Sequence, residues 1–294
     1  MQKIKISSFL KKKIKKNHNN CANIWKKQLY YNRNENDDNY ALDPLLEESI
    51  QIRPNRNIIH KYPGKILILL TDKCAVYCRY CTRKRDKTKK RRILFPSSKI
   101  IIDYLIRNSN IHEIIFSGGD PFMVQAEKLF KITKEIASLE QIKFIRFHTR
   151  CATVNPEIFS PRLFNYLLKL KTNFPQKNLC IVFHINHIAE ISEETINIFY
   201  ELNKIKYNLY CQSVLLKNIN DNANTLNELY TFLYHYGVIP YYIHQLDKTK
   251  GSKYFEVSVS KGKKIMRELK SMLPTYLLPR YVEDSFEGKK NLFY

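Results

Sequence analysis

From about residue 64 onward, hydrophobic and polar positions settle into a repeating rhythm. Residues 65–70 (KILILL) form a short apolar run bounded by Gly64 and Thr71, the pattern of a buried strand. Helical spacing follows over 97–107, opened by Pro96, a residue suited to a helix start. The alternation then repeats. Strands are expected at 112–116, 142–148, 179–185, 209–216 and 238–245, and helices at 126–139, 161–170, 192–204, 221–236 and 260–272. Short buried strands alternating with amphipathic helices predict α/β architecture with parallel βα units. Six in succession fit an open, partial (β/α)6 TIM-like barrel better than a closed eight-fold one, with a doubly wound sheet as the alternative. Ahead of these units, residues 1–45 are polar, basic and Asn-rich, a segment expected to be helical in part. Residues 46–294 are expected to carry the barrel domain and a C-terminal tail.

In βα folds, chemistry gathers at the C-terminal ends of the strands. The reactive residues here follow that rule. Cys74, Cys78 and Cys81 come directly after the first expected strand, and Ser117-Gly118-Gly119-Asp120-Pro121 ends the second. His148 and Arg150 end the third, His184, Asn186 and His187 the fourth. Gln212 and Ser213 lie late in the fifth, and His244 and Asp247 close the sixth. Each lone His or Gln reads well as a satisfied buried polar group. Six strand ends converging on one face is the joint pattern that points to a site.

Composition narrows the class. A chain of 294 residues suits one large α/β domain or two small ones, and 44% hydrophobic residues exclude disorder. No apolar run is long enough to span a bilayer. The basic N-terminus lacks the apolar stretch and cleavage site of a signal peptide, so a cytoplasmic location is expected. Of seven cysteines, three sit within eight residues, while Cys21, Cys151, Cys180 and Cys211 are scattered singly. That is no disulfide framework, and in a reducing compartment the triad reads as metal binding or catalysis. The net charge of +23 fits an anionic partner, nucleic acid or an acidic protein. It also fits drift toward A/T-rich codons, because Gly is 7 of 294 residues against a usual ~7% while Lys, Ile, Asn and Tyr are inflated. Drift is the reading preferred here, and nucleic acid is not the expected partner.

The cysteine spacing is C-x3-C-x2-C. Three thiolates can ligate three irons of a [4Fe–4S] cubane and leave the fourth iron open. Zinc would want a fourth ligand at matching spacing, and no second pair appears. The motif, with aromatic Tyr80 before the last Cys, resembles that of the radical S-adenosylmethionine (SAM) superfamily, in which SAM chelates the open iron and is cleaved to a deoxyadenosyl radical. Two of the seven glycines fall in Ser117–Pro121, where the backbone must approach something closely. Alone this is an ordinary βα turn; after the second strand of such a barrel it resembles the loop that binds the SAM amino group.

The stretches CAVYCRYCTRK (74–84), FSGGDPF (116–122), HINH (184–187), QSVLLKNINDNANTL (212–226) and PYYIHQLDK (240–248) together resemble the lysine 2,3-aminomutase family. Within it they look most like the branch that supplies β-lysine for modifying elongation factor P. The resemblance runs from about residue 45 to the C-terminus. It implies a radical 1,2-amino shift turning L-lysine into β-lysine, with the cluster, SAM and pyridoxal 5′-phosphate (PLP) as cofactors. It further implies that a lysyl-tRNA-synthetase-like ligase passes the product to elongation factor P, and by analogy that the open barrel side meets a second subunit. Carried over residue by residue, Cys74, Cys78 and Cys81 hold the cluster, and Gly118, Gly119, Asp120, His184 and Gln212 face SAM. Arg83 pairs with the substrate carboxylate, Asp247 and Asp284 bind the distal ammonium, Lys290 holds PLP between turnovers, and Lys65 meets the PLP phosphate. The plain alternatives are surface charges for Asp247 and Asp284, and a solvated basic run for Arg83.

Three departures from the family pattern stand out. Lys65 replaces an arginine, keeping charge but losing bidentate geometry. Cys211 replaces an asparagine. The tail 285–290 has one glycine and is a residue shorter than the family's, so Lys289 competes with Lys290. Two other readings stand beside the aminomutase: a radical SAM enzyme acting on RNA, and a decayed scaffold that binds without catalysis.

Overall fold

The computed structural model describes residues 4–16, 20–31, 39–52, 56–84 and 93–293. Two helices, α1 (Ser8–Lys16) and α2 (Asn20–Leu29), precede a nine-stranded sheet. Its strands are β1 (Ile58–Tyr62), β2 (Lys65–Leu69), β3 (Glu113–Ser117), β4 (Phe144–Thr149), β5 (Asn178–His184), β6 (Asn208–Val214), β7 (Val238–His244), β8 (Arg280–Asp284) and β9 (Lys289–Asn291). They neighbour one another in chain order. From β2 to β8 every pairing is parallel, while β1 and β9 pair antiparallel at the two edges. The crossovers are made by α3 (Ser98–Arg107), α4 (Ala126–Ala137), the single turn α5 (Cys151–Val154) with α6 (Pro161–Asn173), then α7 (Glu193–Lys204), α8 (Ala223–His235) and α9 (Val259–Met272).

This is the open half-barrel expected from the pattern. A doubly wound sheet would reverse its strand order midway, and here the order never reverses. The parallel set has seven strands, one more than expected, because β8 adds to the six predicted. The register brings strand ends level: Leu69 faces Ser117, His184 faces Gln212, and Val214 faces His244. The loops after β2 to β8 therefore open on one end of the sheet.

Packing explains why these segments form. Interior residues of β5 are all buried, as a strand covered on both faces requires. Helices start at side-chain caps: Ser160 precedes Pro161 and accepts from Leu163 N, Ser192 and Thr195 form a capping box, and Asn222 accepts from Thr225 N at 2.9 Å. The N-terminal helices bury Leu10, Ile14, Trp25 and Leu29 in the same core as the strands. Segment 39–52 links distant parts of the sheet, since Ala41 bridges Thr249 beyond β7 and Gln51 bridges Ile59 in β1. Among the described residues no helix is long and apolar enough to cross a membrane.

Candidate active site

The cysteine motif leaves β2 as an irregular loop carrying three half-buried thiols outside any disulfide, Cys74, Cys78 and Cys81. The turn after β3 lies against the approach to that loop. Gly119 N donates to Thr71 O at 2.5 Å and Asp120 N to Lys73 O at 2.8 Å. Gly118 sits at φ +118°, the left-handed region that favours glycine. A Cβ at Gly118 would strike the Thr71 carbonyl oxygen, and one at Gly119 the Lys73 carbonyl. The glycines thus permit a close backbone approach, and the approaching group is the cysteine loop itself. Asp120 accepts from Thr149 Oγ1 at 2.9 Å, Arg150 N at 2.8 Å and Phe122 N at 3.1 Å, tying β3 to β4. Burial pushes its pKa up while these donors pull it back. Gly119 and Asp120 reach the cavity wall; Gly118 is not among the lining residues.

Beneath the loop lies a buried polar network. Arg150 donates through one terminal nitrogen to Cys78 Sγ and to Tyr80 Oη, each at 2.7 Å. Its other terminal nitrogen donates to Gln28 Oε1 at 2.7 Å and Glu190 Oε2 at 3.0 Å. Tyr80 Oη also meets Gln28 Oε1, His184 Nε2 and Asn186 Nδ2 at 3.0, 3.0 and 2.7 Å. His184 is therefore oriented by the motif's own tyrosine. Burial, reinforced by the Arg150 charge, lowers its pKa well below the ordinary value, so the ring is neutral. Gln212 stands beside it in register.

The last strands bring a second group of charges. Lys289 Nζ contacts both carboxylate oxygens of Asp284 at 2.6 Å and sits 5.3 Å from the Tyr242 ring centroid. Asp284 also meets His244 Nδ1 at 3.1 Å. Burial alone would raise the Asp284 pKa, but His244 and the Lys289 ammonium override it and hold the carboxyl below its usual range. Burial lowers the Lys289 pKa against the pull of Asp284 and Asp247. Asp247 goes the other way: burial, then the Asp284 charge, push it up to about 7. His148 is half-buried, its buried Nε2 has no hydrogen-bond partner among the described residues, and desolvation with the charges of Arg146, Lys289 and Arg83 lowers its pKa. Arg83 is held in a fork by Glu47, at 2.9 and 2.6 Å, and donates to Ser117 Oγ at 3.2 Å.

Both groups line one cavity of about 490 Å³, together with Lys65, Arg83, Asp120, His184 and Gln212. Lys65 Nζ lies 4.6 Å from the Tyr62 ring centroid on the same wall. Lys290 is not among the lining residues; it is exposed, and the alternation of β9 turns it away from the face that Lys289 occupies. Three thiols on one loop are the donor set of a cluster with an open iron, while a lysine amine and a second cation, Lys65, on the walls of one cavity fit an aldehyde cofactor carrying a phosphate. Gln28 and Glu190 went unseen in the sequence. No motif marks them, and only the fold carries Gln28 from α2 to the end of β4.

A family model described as a 4Fe-4S single cluster domain matches residues 62–151. The L-lysine 2,3-aminomutase of Buchnera aphidicola subsp. Baizongia pistaciae is 36% identical over 260 residues, covering 88% of this chain and 74% of the relative. That of Escherichia coli K12 is 33% identical over 245 residues, covering 83% and 69%. Among solved structures, Streptococcus suis SuiB bound to S-adenosylmethionine superposes with a TM-score of 0.57 at 12% identity, over 76% of this chain and 51% of that one. The last likeness speaks for the fold alone. Identity above 30% over more than two thirds of the enzymes compared, on a half-barrel whose cysteine loop faces the cavity, places this chain in the L-lysine 2,3-aminomutase family, as a radical SAM isomerase.

Proposed function

We propose that this enzyme converts L-lysine to β-lysine by a 1,2-amino shift, using a [4Fe–4S] cluster, SAM and PLP. The observation that carries the reading is that the cysteine triad and the Lys289–Asp284–Asp247 group line the same cavity. When bound, the cluster with SAM supplies hydrogen-atom abstraction, and PLP supplies a conjugated carrier for the migrating nitrogen. The remaining work belongs to the chain. Cys74, Cys78 and Cys81 would hold the cluster, and Gly119, Asp120, His184 and Gln212, which line the same cavity, would face SAM. Lys289, not Lys290, holds PLP, because its amine lines the cavity against Asp284 and partial desolvation of the side chain eases its deprotonation. Lys65, which lines the same cavity, would take the phosphate.

Charge balance supports lysine as substrate. Asp284 already shares Lys289 and His244, whereas among the described residues no cation is paired with the Asp247 carboxylate. An ε-ammonium at Asp247 would restore its ionised form and fix the far end of the substrate. At the near end, Arg83 grips the Glu47 carboxylate in the forked geometry a substrate carboxylate would use. Segment 39–52, which carries Glu47, Leu45 and Ile50 onto the cavity, helps to exclude water.

The test is a product assay. The protein, reconstituted without oxygen with iron, sulfide and PLP, is given SAM, a reductant and L-lysine, and β-lysine is sought by mass spectrometry. Cleavage of SAM without β-lysine would leave the cluster standing and remove lysine as substrate. The destination we assign to β-lysine is elongation factor P, through a lysyl-tRNA-synthetase-like ligase, on the strength of the sequence stretches that resemble that branch. Deleting the gene should then lower the mass of elongation factor P by one β-lysyl group.

A further inference from the structure

The cluster reading leaves unexplained why a buried guanidinium donates to the sulfur of one cysteine of the motif, Cys78. Arg150 is 7% exposed, and its side chain reaches Cys78 Sγ at 2.7 Å. It is over-determined: Glu190, 0% exposed, and Gln28, 0% exposed, hold its second terminal nitrogen, and the Trp25 ring lies 5.0 Å from its central carbon. Gln28 Nε2 in turn donates to the other Glu190 oxygen at 2.9 Å. The same helix end grips the motif a second time. Arg79, between Cys78 and Tyr80, donates its N–H to Gln28 O at 3.0 Å and its guanidinium to Lys27 O at 2.8 Å, satisfying carbonyls left open where α2 ends.

A cation that donates to a ligating sulfur favours the more negative state of a cluster, because added electron density is spread over the sulfurs, and the effect is large where water is excluded. We propose that Arg150, anchored by Gln28 of α2 and by Glu190, is a positioning residue for Cys78 that raises the reduction potential of the cluster this sulfur ligates. The inference rests on the cluster reading and adds to it that α2 belongs to the redox machinery.

The experiment is a redox titration of the reconstituted full-length protein without SAM, with dithionite as the one-electron donor and the reduced cluster read by electron paramagnetic resonance. Arg150→Lys keeps the charge and the Glu190 partner but loses the fork that reaches two groups at once. The double variant Arg150→Met, Glu190→Gln removes the donor without stranding a buried charge. In the double variant, reduction should become about tenfold less favourable, a fall of about 59 mV for a one-electron couple. Arg150→Lys should fall between it and the parent, and Gln28→Met should shift the same way. Loaded clusters with the parent potential in all three variants would overturn the inference while leaving the cluster intact. Failure of the parent protein to assemble any cluster would instead overturn the reading beneath it.

Discussion

Lys289 and Lys290 are adjacent in the chain and chemically identical, so only the face each occupies separates them. The family resemblance favours Lys290, and a tail one residue short of the family pattern is what lets Lys289 compete with it. Strand parity decides differently: in the β8–β9 ladder Asp284 opposes Lys289 and Glu283 opposes Lys290, and only the first pair faces the cavity. Borohydride reduction of the PLP-loaded protein followed by tandem mass spectrometry should find the pyridoxyl group on Lys289; a label on Lys290 contradicts the assignment. Asp247 yields a pH prediction. Its native pKa, about 7, lies above the ordinary 3.8. Between those values the native state keeps a proton that the unfolded chain has released, so stability falls as pH rises through that window. Asp247→Asn removes the term. It should be more stable than the parent at pH 8 by on the order of 2 kcal/mol, a figure discounted from the full shift because the side chain is only half-buried, with little difference near pH 4. Thermal melts at the two pH values check this, and equal losses in both proteins count against it. The same variant should bind lysine poorly, since it gives up the carboxylate proposed to meet the substrate's ε-ammonium.

At the scale of elements, the six strands and six helices of the repeating units were legible because each strand is a short apolar run and each helix carries one apolar stripe. The edge strands β1 and β9, and β8 next to β9, carried no such signal. β9 is Lys-Lys-Asn and exposed throughout; β1 is half polar and sits at an edge; β8 mixes Arg, Glu and Asp with Tyr and Val. Yet β8 and β9 place Asp284 and Lys289, so the least legible elements carry part of the site. The cysteine loop and the glycine turn were legible by motif, but their mutual fit was not. Gly119→Ala tests that fit. The new Cβ meets backbone, which cannot swing aside as a side chain would, so about 1–3 kcal/mol of stability should be lost. Because the strain falls on Lys73, next to Cys74, iron bound per chain should fall as well. Urea unfolding and an iron assay read the two effects, and a variant with parental stability and iron content would show that the turn yields.

On the scale of the whole molecule, the charge of +23 is the property the site does not use. It surrounds a cavity whose proposed substrate carries a net charge of about +1 at neutral pH, from two ammonium groups and one carboxylate. A field of that sign opposes entry of lysine, and the Asp247–Asp284 pair offsets it only at close range, within about one Debye length of 8–10 Å. Raising salt screens the long-range repulsion while leaving the buried carboxylates largely unscreened. The KM for L-lysine should therefore fall modestly, by less than about threefold, between 50 and 200 mM salt. An RNA substrate demands the opposite sign, and a far larger effect, because several phosphate contacts would weaken by orders of magnitude over the same range. The direction of the salt dependence, measured by steady-state kinetics, thus separates a basic surface left by codon drift from one built to hold nucleic acid. A steep rise of KM with salt would move the substrate from a free amino acid to a polyanion.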